Sequence, residues 1–230
     1  MRALRFDGRP VAGTGAAEVL PGRLIVVEGA DGSGRSTQIL RLKERLEAEG
    51  WPVVDVGLRR SGLVGPEIER AKRGNVLGPT TRSLYYATDF ADQLENRVLP
   101  ALRAGFVVLA DRYVYTLMAR DVVRGASPDW LESLYGIALV PSAVFYLQVS
   151  PQALVERNFH RAPTLDYWES GMDLGLSRDW FGSFVRYQQR IEAEFLRMRE
   201  RYEFAVIDGN RPVREIADDL AARTLAVLGE

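Results

Sequence analysis

An α/β fold on a doubly wound parallel sheet is what this sequence predicts, and two observations predict it. Five short apolar runs recur along the chain, and helical stretches separate them. The runs are Leu24–Glu28, Val53–Val56, Phe106–Asp111, Ala143–Val149 and Phe204–Asp208. They are rich in Val, Ile, Leu or Phe and alternate poorly, which is how parallel strands buried on both faces read. Helical patterns occupy 36–49, 66–73, 80–104, 113–124, 128–139, 151–160, 178–201 and 212–228. Strands alternating with helices place helices on both faces of the sheet, in three layers.

Taken in order, residues 1–22 are rich in Gly, Ala and Arg and read as an N-terminal extension, either a small hairpin or a mobile arm. Residues 23–230 read as one domain without repeat or linker. Ser127 before Pro128 and Ser150 before Pro151 are helix N-caps with proline in the first turn, and Pro212 opens the last helix. The segment 157–177 is short on periodicity, carries Gly171 and Gly175, and reads as a mobile lid.

Composition limits the function. The 230 residues, 47% hydrophobic and 27% charged, suit one globular domain with a sizeable core. A net charge of −1 leaves no electrostatic footprint for a nucleic-acid polymer. The absence of cysteine excludes disulfides and thiolate metal sites. His160 is the only histidine, which excludes most histidine-based catalysis and histidine metal clusters. No apolar run approaches a membrane span, and Arg2, Arg5, Asp7 and Arg9 interrupt any signal core, so a cytoplasmic enzyme-sized domain is expected.

Ligands of such sheets bind beyond the carboxyl ends of the strands. After the first strand comes Gly29-Ala30-Asp31-Gly32-Ser33-Gly34-Arg35-Ser36-Thr37, with the spacing of a phosphate-binding loop and arginine in the lysine position. Glycines let the backbone turn successive N–H groups toward an anion, and the following helix adds its positive dipole end. Arg35 can cover β- and γ-phosphate oxygens, although its planar fork is no simple substitute for an ammonium. Ser36 is placed to ligate Mg²⁺. After the second strand, Arg59-Arg60 offers a bidentate phosphate grip. After the third, Asp111-Arg112-Tyr113 puts a carboxylate where such loops hold Mg²⁺. Tyr86 and Phe90, four apart, share a helix face with Asp89 and Gln93 nearby, equally readable as core or as a pocket wall. Arg157 and Arg161 on the lid are placed to stabilise charge on a transferring phosphoryl group.

From about Arg23 to the C-terminus these motifs together resemble thymidylate kinase, of the P-loop nucleoside-monophosphate kinases. The resemblance implies a three-layer P-loop kinase fold, ATP and Mg²⁺ as cofactors, a nucleoside monophosphate as acceptor, a role in nucleotide biosynthesis and a homodimer paired through helices such as 80–104. It implies that Asp31 bonds the acceptor sugar 3′-hydroxyl and that Arg60 and Arg112 hold the acceptor phosphate. It puts Asp111 at the Mg²⁺ site, Tyr86 against the base, Arg157 near ATP, and Gly209-Asn210-Arg211 against the adenine. Gly29, Gly32, Ser33, Gly34, Arg35, Ser36 and Thr37 would cradle the phosphates.

Departures from the family pattern are as specific. Arg35 replaces the loop lysine. Phe90 stands where the family reads the thymine edge with arginine, and phenyl donates no hydrogen bond to a carbonyl. Arg120-Asp121 lies where a glutamine is usual, and Ser170–Trp180 looks longer than the family's lid. Asp89 could instead accept from an amino-bearing base. Three functions therefore stand: a kinase of dTMP or another nucleotide, a nucleotide-binding protein of the same fold with little kinase activity, and a kinase of a nucleoside.

Overall fold

The computed structural model describes residues 4–9, 19–74, 77–161 and 167–229, leaving aside the side chains of Lys72, Phe159, His160 and Arg161. Five strands form one parallel sheet in the order β2-β3-β1-β4-β5. They are β1 (Arg23–Gly29), β2 (Val53–Gly57), β3 (Val107–Asp111), β4 (Ala143–Gln148) and β5 (Ala205–Asp208). All five apolar runs are therefore strands, and neighbouring pairs are parallel throughout.

Alternate residues of each strand enter opposite cores. Val26, Val108, Ala110, Val144 and Tyr146 pack on the side of α3 (Pro79–Gln93), α5 (Val114–Val123) and α8 (Trp180–Tyr202). Ile25, Val27, Leu109, Phe145 and Leu147 pack on the side of α1 (Arg35–Ala48) and α9 (Val213–Leu228). Both faces of each strand are covered, which is why the runs do not alternate. The remaining helices are α2 (Gly65–Gly74), α4 (Leu99–Arg103), α6 (Pro128–Leu134) and α7 (Pro151–Arg161).

The chain departs from β1 toward β2 on one side and from β4 toward β5 on the other. Between β1 and β4 the sheet thus has a switch point, where a crevice opens beyond the strand ends. Asp111 lies in register with Val27 of β1 and Gly57 of β2, so the end of β3 faces the loop that follows β1.

Local differences from the expected elements have physical causes. The helix expected over 80–104 is broken by a π-helical turn, Leu94–Val98, because Pro100 has no N–H and its ring crowds the carbonyl four residues back. The helix expected over 128–139 stops at Leu134. Backbone beyond it pairs with the N-terminal segment instead: Phe6 N–H donates to the Ala138 carbonyl at 2.9 Å and Val140 N–H to the Leu4 carbonyl at 2.8 Å. Phe6 also stacks on Tyr202 at 5.5 Å, so the described part of the extension is docked. Ser127 and Ser150 accept from Trp130 N–H and Ala153 N–H, as N-caps do. Pro212 precedes the last helix by one residue.

Candidate active site

The glycine loop joins β1 to α1 at the mouth of the crevice. Gly32 and Gly34 have φ of +85° and +87°, left-handed values that favour glycine. A Cβ at Gly32 would also collide with Asn158, whose Nδ2 donates to the Asp31 carbonyl at 3.0 Å. The loop, Leu58, Arg59, Arg60, Asp111, Arg112, Arg157 and Glu169 line one polar cleft. Ser33 Oγ is buried there without a partner among the described residues.

Ser36 and Asp111, read separately from the sequence, meet in space: the Ser36 hydroxyl donates to Asp111 Oδ2 at 2.8 Å. This is an all-oxygen pair at the polar cleft, the donor chemistry that suits a hard cation such as Mg²⁺. Arg35 is turned into the protein rather than out over the cleft. Its Nε donates to Asp111 Oδ1 at 2.5 Å and its Nη1 to the carbonyls of Gly29 and Ala30. Arg60 bonds Asp55 at 2.8 Å and lies 3.6 Å from Asp111, with two-fifths of its side chain exposed to the cleft.

Asp31 lies between two arginines. Arg112 pairs with one oxygen, and Arg120 with the other at 2.6 Å. Arg112 adopts φ +71°, a left-handed value uncommon for a side-chain-bearing residue, so the turn after β3 is set by its surroundings. Glu28, fully buried at the end of β1, sets it by accepting Tyr113 N–H at 2.9 Å and the Thr116 hydroxyl at 2.5 Å. Burial pushes the Glu28 carboxyl above its ordinary value, with those hydrogen bonds acting against the shift. Burial and then the Arg120 guanidinium push Arg112 down to about 9.

Arg112 and Arg120 lead from the cleft to a second, largely apolar pocket. Tyr86, Leu117, Trp168 and Tyr187 line it with Arg82, Asp121 and Arg124. Tyr86 is thus on the pocket, where a base ring could lie against it. Asp89 and Phe90 are not. Asp89 is buried and accepts Arg59 N–H at 2.8 Å, Ser61 N–H at 2.9 Å and Gln93 Nε2 at 3.0 Å. Its acceptor capacity holds the loop after β2, so it is not available to an amino-bearing base. Phe90 turns inward, edge-on to Tyr113 at 5.2 Å and Tyr135 at 6.2 Å. Four residues carry a helix about 6 Å along its axis, enough to move Phe90 beneath the pocket floor.

On the other side of the loop, Arg157 Nη1 donates to the Ser33 carbonyl at 3.2 Å and Nη2 to the Gly209 carbonyl at 2.9 Å. It ties the phosphate loop to the loop after β5. There Asn210 accepts Ser150 N–H and bonds Asp208, while Arg211 bonds Asp219 at 2.6 Å. Arg161 belongs to α7, but its side chain lies outside the described residues, as does the middle of the expected lid, 162–166. Residues that spacing did not single out for roles include Arg82, Asn158, Trp168 and Tyr187. The first was findable, since it lies one turn before Tyr86 on the same face.

With the geometry in place, comparison with known proteins is direct. The family model for thymidylate kinase matches residues 27–220. "Probable thymidylate kinase 2" of Saccharolobus solfataricus is 39% identical over 213 residues, covering 91% of this chain and 96% of that protein. "Thymidylate kinase" of Dinoroseobacter shibae is 35% identical, covering 88% of this chain and 96% of its own. "Probable thymidylate kinase" of Thermococcus kodakarensis is 28% identical, covering 90% and 98%. The phosphate loop, the Asp111-Arg112-Tyr113 turn and the aromatic pocket all fall within the matched residues, and the chain belongs to the thymidylate kinase family.

Proposed function

We propose that this protein transfers the γ-phosphoryl group of ATP to dTMP, giving ADP and dTDP. One observation carries the reading: Asp31, inside the phosphate loop, sits with Arg112 and Arg120 where the phosphate cleft joins the aromatic pocket. A monophosphate laid across that junction puts its ring at Tyr86, its sugar at Asp31 and its phosphate among Arg60 and Arg112. Catalysis of this kind is positioning and electrostatic stabilisation. The chain supplies convergent backbone N–H groups, the α1 N-terminus and the arginines. Ser36 and Asp111 would hold Mg²⁺, which when bound neutralises charge on the phosphate oxygens. Arg157 and the Asn210-Arg211 loop would flank the nucleoside of ATP, and Arg161, the last residue of α7, would add a cation.

A homodimer paired across the outer face of α3, where Leu84 is about half exposed, and a cytoplasmic location belong to the same reading. Among the described residues no helix is long and apolar enough to cross a membrane. The inward turn of Arg35 favours one competitor, a nucleotide-binding protein with little turnover. ADP release measured against a panel of monophosphates separates the two. Turnover with dTMP supports the kinase; binding of ATP without turnover on any acceptor, cured by Arg35→Lys, supports the competitor.

A further inference from the structure

Resting on that function, we infer that Arg82 and Asp121 read the edge of the acceptor base, selecting a ring that presents a carbonyl beside a ring N–H. The family position for edge reading is occupied by Phe90, and Phe90 is buried against Tyr113 and Tyr135. The pocket nevertheless has a polar pair. Helices α3 and α5 lie antiparallel, with Phe90 against Tyr113 at one end and Arg82 against Asp121 at the other. Tyr86 and Leu117 lie between, on the wall of the same pocket.

Arg82 Nη2 donates to Asp121 Oδ1 at 3.1 Å, and the side chains are only 12% and 8% exposed. Asp121 is oriented by the Ser83 hydroxyl, which donates to Oδ2 at 2.6 Å. The Arg82 guanidinium lies over the Trp168 ring, 5.1 Å from its centroid, which fixes the plane of its fork. A buried ion pair contributes little net stability over apolar side chains of the same size. One on a pocket wall fits recognition better than scaffolding.

The other two arginines of the pocket are already committed. Arg120 is held by Asp31, and Arg124 by Asp173, the Tyr187 hydroxyl and the Trp168 carbonyl. Among the described residues the hydrogen bond of Arg82 is the one to Asp121, with Asp173 Oδ2 at 4.0 Å from its Nη1, and guanidinium has five N–H groups. Arg82 can therefore donate to the O4 carbonyl of thymine while Asp121 accepts its N3–H. Cytosine reverses both groups: an amino group would meet Arg82 and an unprotonated ring nitrogen would meet Asp121.

Steady-state kinetics with dTMP, dCMP and N3-methyl-dTMP test this. Wild type is expected to lose on the order of a hundredfold in kcat/KM on N3-methyl-dTMP, chiefly through KM, because the methyl group removes the N3–H donor and crowds the buried Asp121 carboxylate. Asp121→Ala should shrink that penalty to below about fivefold, and Arg82→Met should lower the dTMP-to-dCMP preference about a hundredfold with KM for ATP unchanged. Arg82→Lys should restore part of the preference. Equal turnover of dTMP and N3-methyl-dTMP by wild type overturns the inference while leaving the proposed function intact, and this comparison needs no variant to fold. Equal losses on dTMP and dCMP in the variants overturn it as well. Absence of turnover on every monophosphate overturns the function and the inference with it.

Discussion

Arg35 lies against Asp111, Nε to Oδ1 at 2.5 Å, and both side chains are less than a tenth exposed. The loop cation is thereby folded under the loop, where it neutralises the carboxylate at the end of β3 and caps the Gly29 and Ala30 carbonyls. Removing one partner of a buried pair leaves the other uncompensated, at a cost of about 3 kcal/mol or more. Arg60, 3.6 Å from Asp111, offsets part of it. Arg35→Ala is therefore expected to lose about 2–3 kcal/mol of unfolding free energy in urea, and adding Asp111→Asn should recover part of the loss. Unchanged stability in Arg35→Ala contradicts the pairing.

Arg157 bonds only backbone carbonyls among the described residues, and both belong to loops that the proposed function puts beside ATP. Arg157→Ala should raise KM for ATP about tenfold and leave KM for dTMP nearly unchanged. A change confined to dTMP would place Arg157 on the wrong substrate.

Glu28 gives a pH signature. Its native carboxyl titrates above the ordinary value of 4.5, because burial penalises its charge. As pH rises through that value the unfolded chain releases the proton first. The group's contribution to stability is thus greatest below 4.5 and falls until pH passes the native value. Glu28→Gln does not titrate, so its stability relative to wild type should rise as pH is raised through and above 4.5. Chemical denaturation at several pH values reads the difference; a constant or falling difference contradicts the assignment.

Phe6 connects the N-terminal segment to the turn after β3, lying within an aromatic group with Tyr113, Tyr115 and Tyr202. Phe6→Ala should cost about 2 kcal/mol, below the range for a fully buried phenyl because Phe6 is only partly buried. A thermal shift indistinguishable from zero would show that the segment does not stay docked in solution.

Much of the architecture was legible because strands buried on both faces leave runs of apolar residues, and a doubly wound sheet puts its chemistry at their ends. Ser36 and Asp111 were read from separate motifs and meet because β1 and β3 are neighbours in register. What spacing could not show is the direction of a long side chain. Nothing in the loop motif says that Arg35 bonds a carboxylate 76 residues away. Nor does spacing reveal that Asp89 spends its oxygens on Arg59 and Ser61, since those donors are on another loop. The shared face of Tyr86 and Phe90 was real, but one turn of axial rise separates pocket from core.

The central claim is phosphoryl transfer between the cleft and the pocket. The direct measurement is a single-turnover reaction of γ-labelled ATP with dTMP and Mg²⁺, with products separated and the label located. The account predicts label on the β-phosphate of dTDP, with transfer reduced at least a hundredfold in Asp31→Ala, which unpairs Arg112 and Arg120. Label found only in ATP or in inorganic phosphate would contradict it.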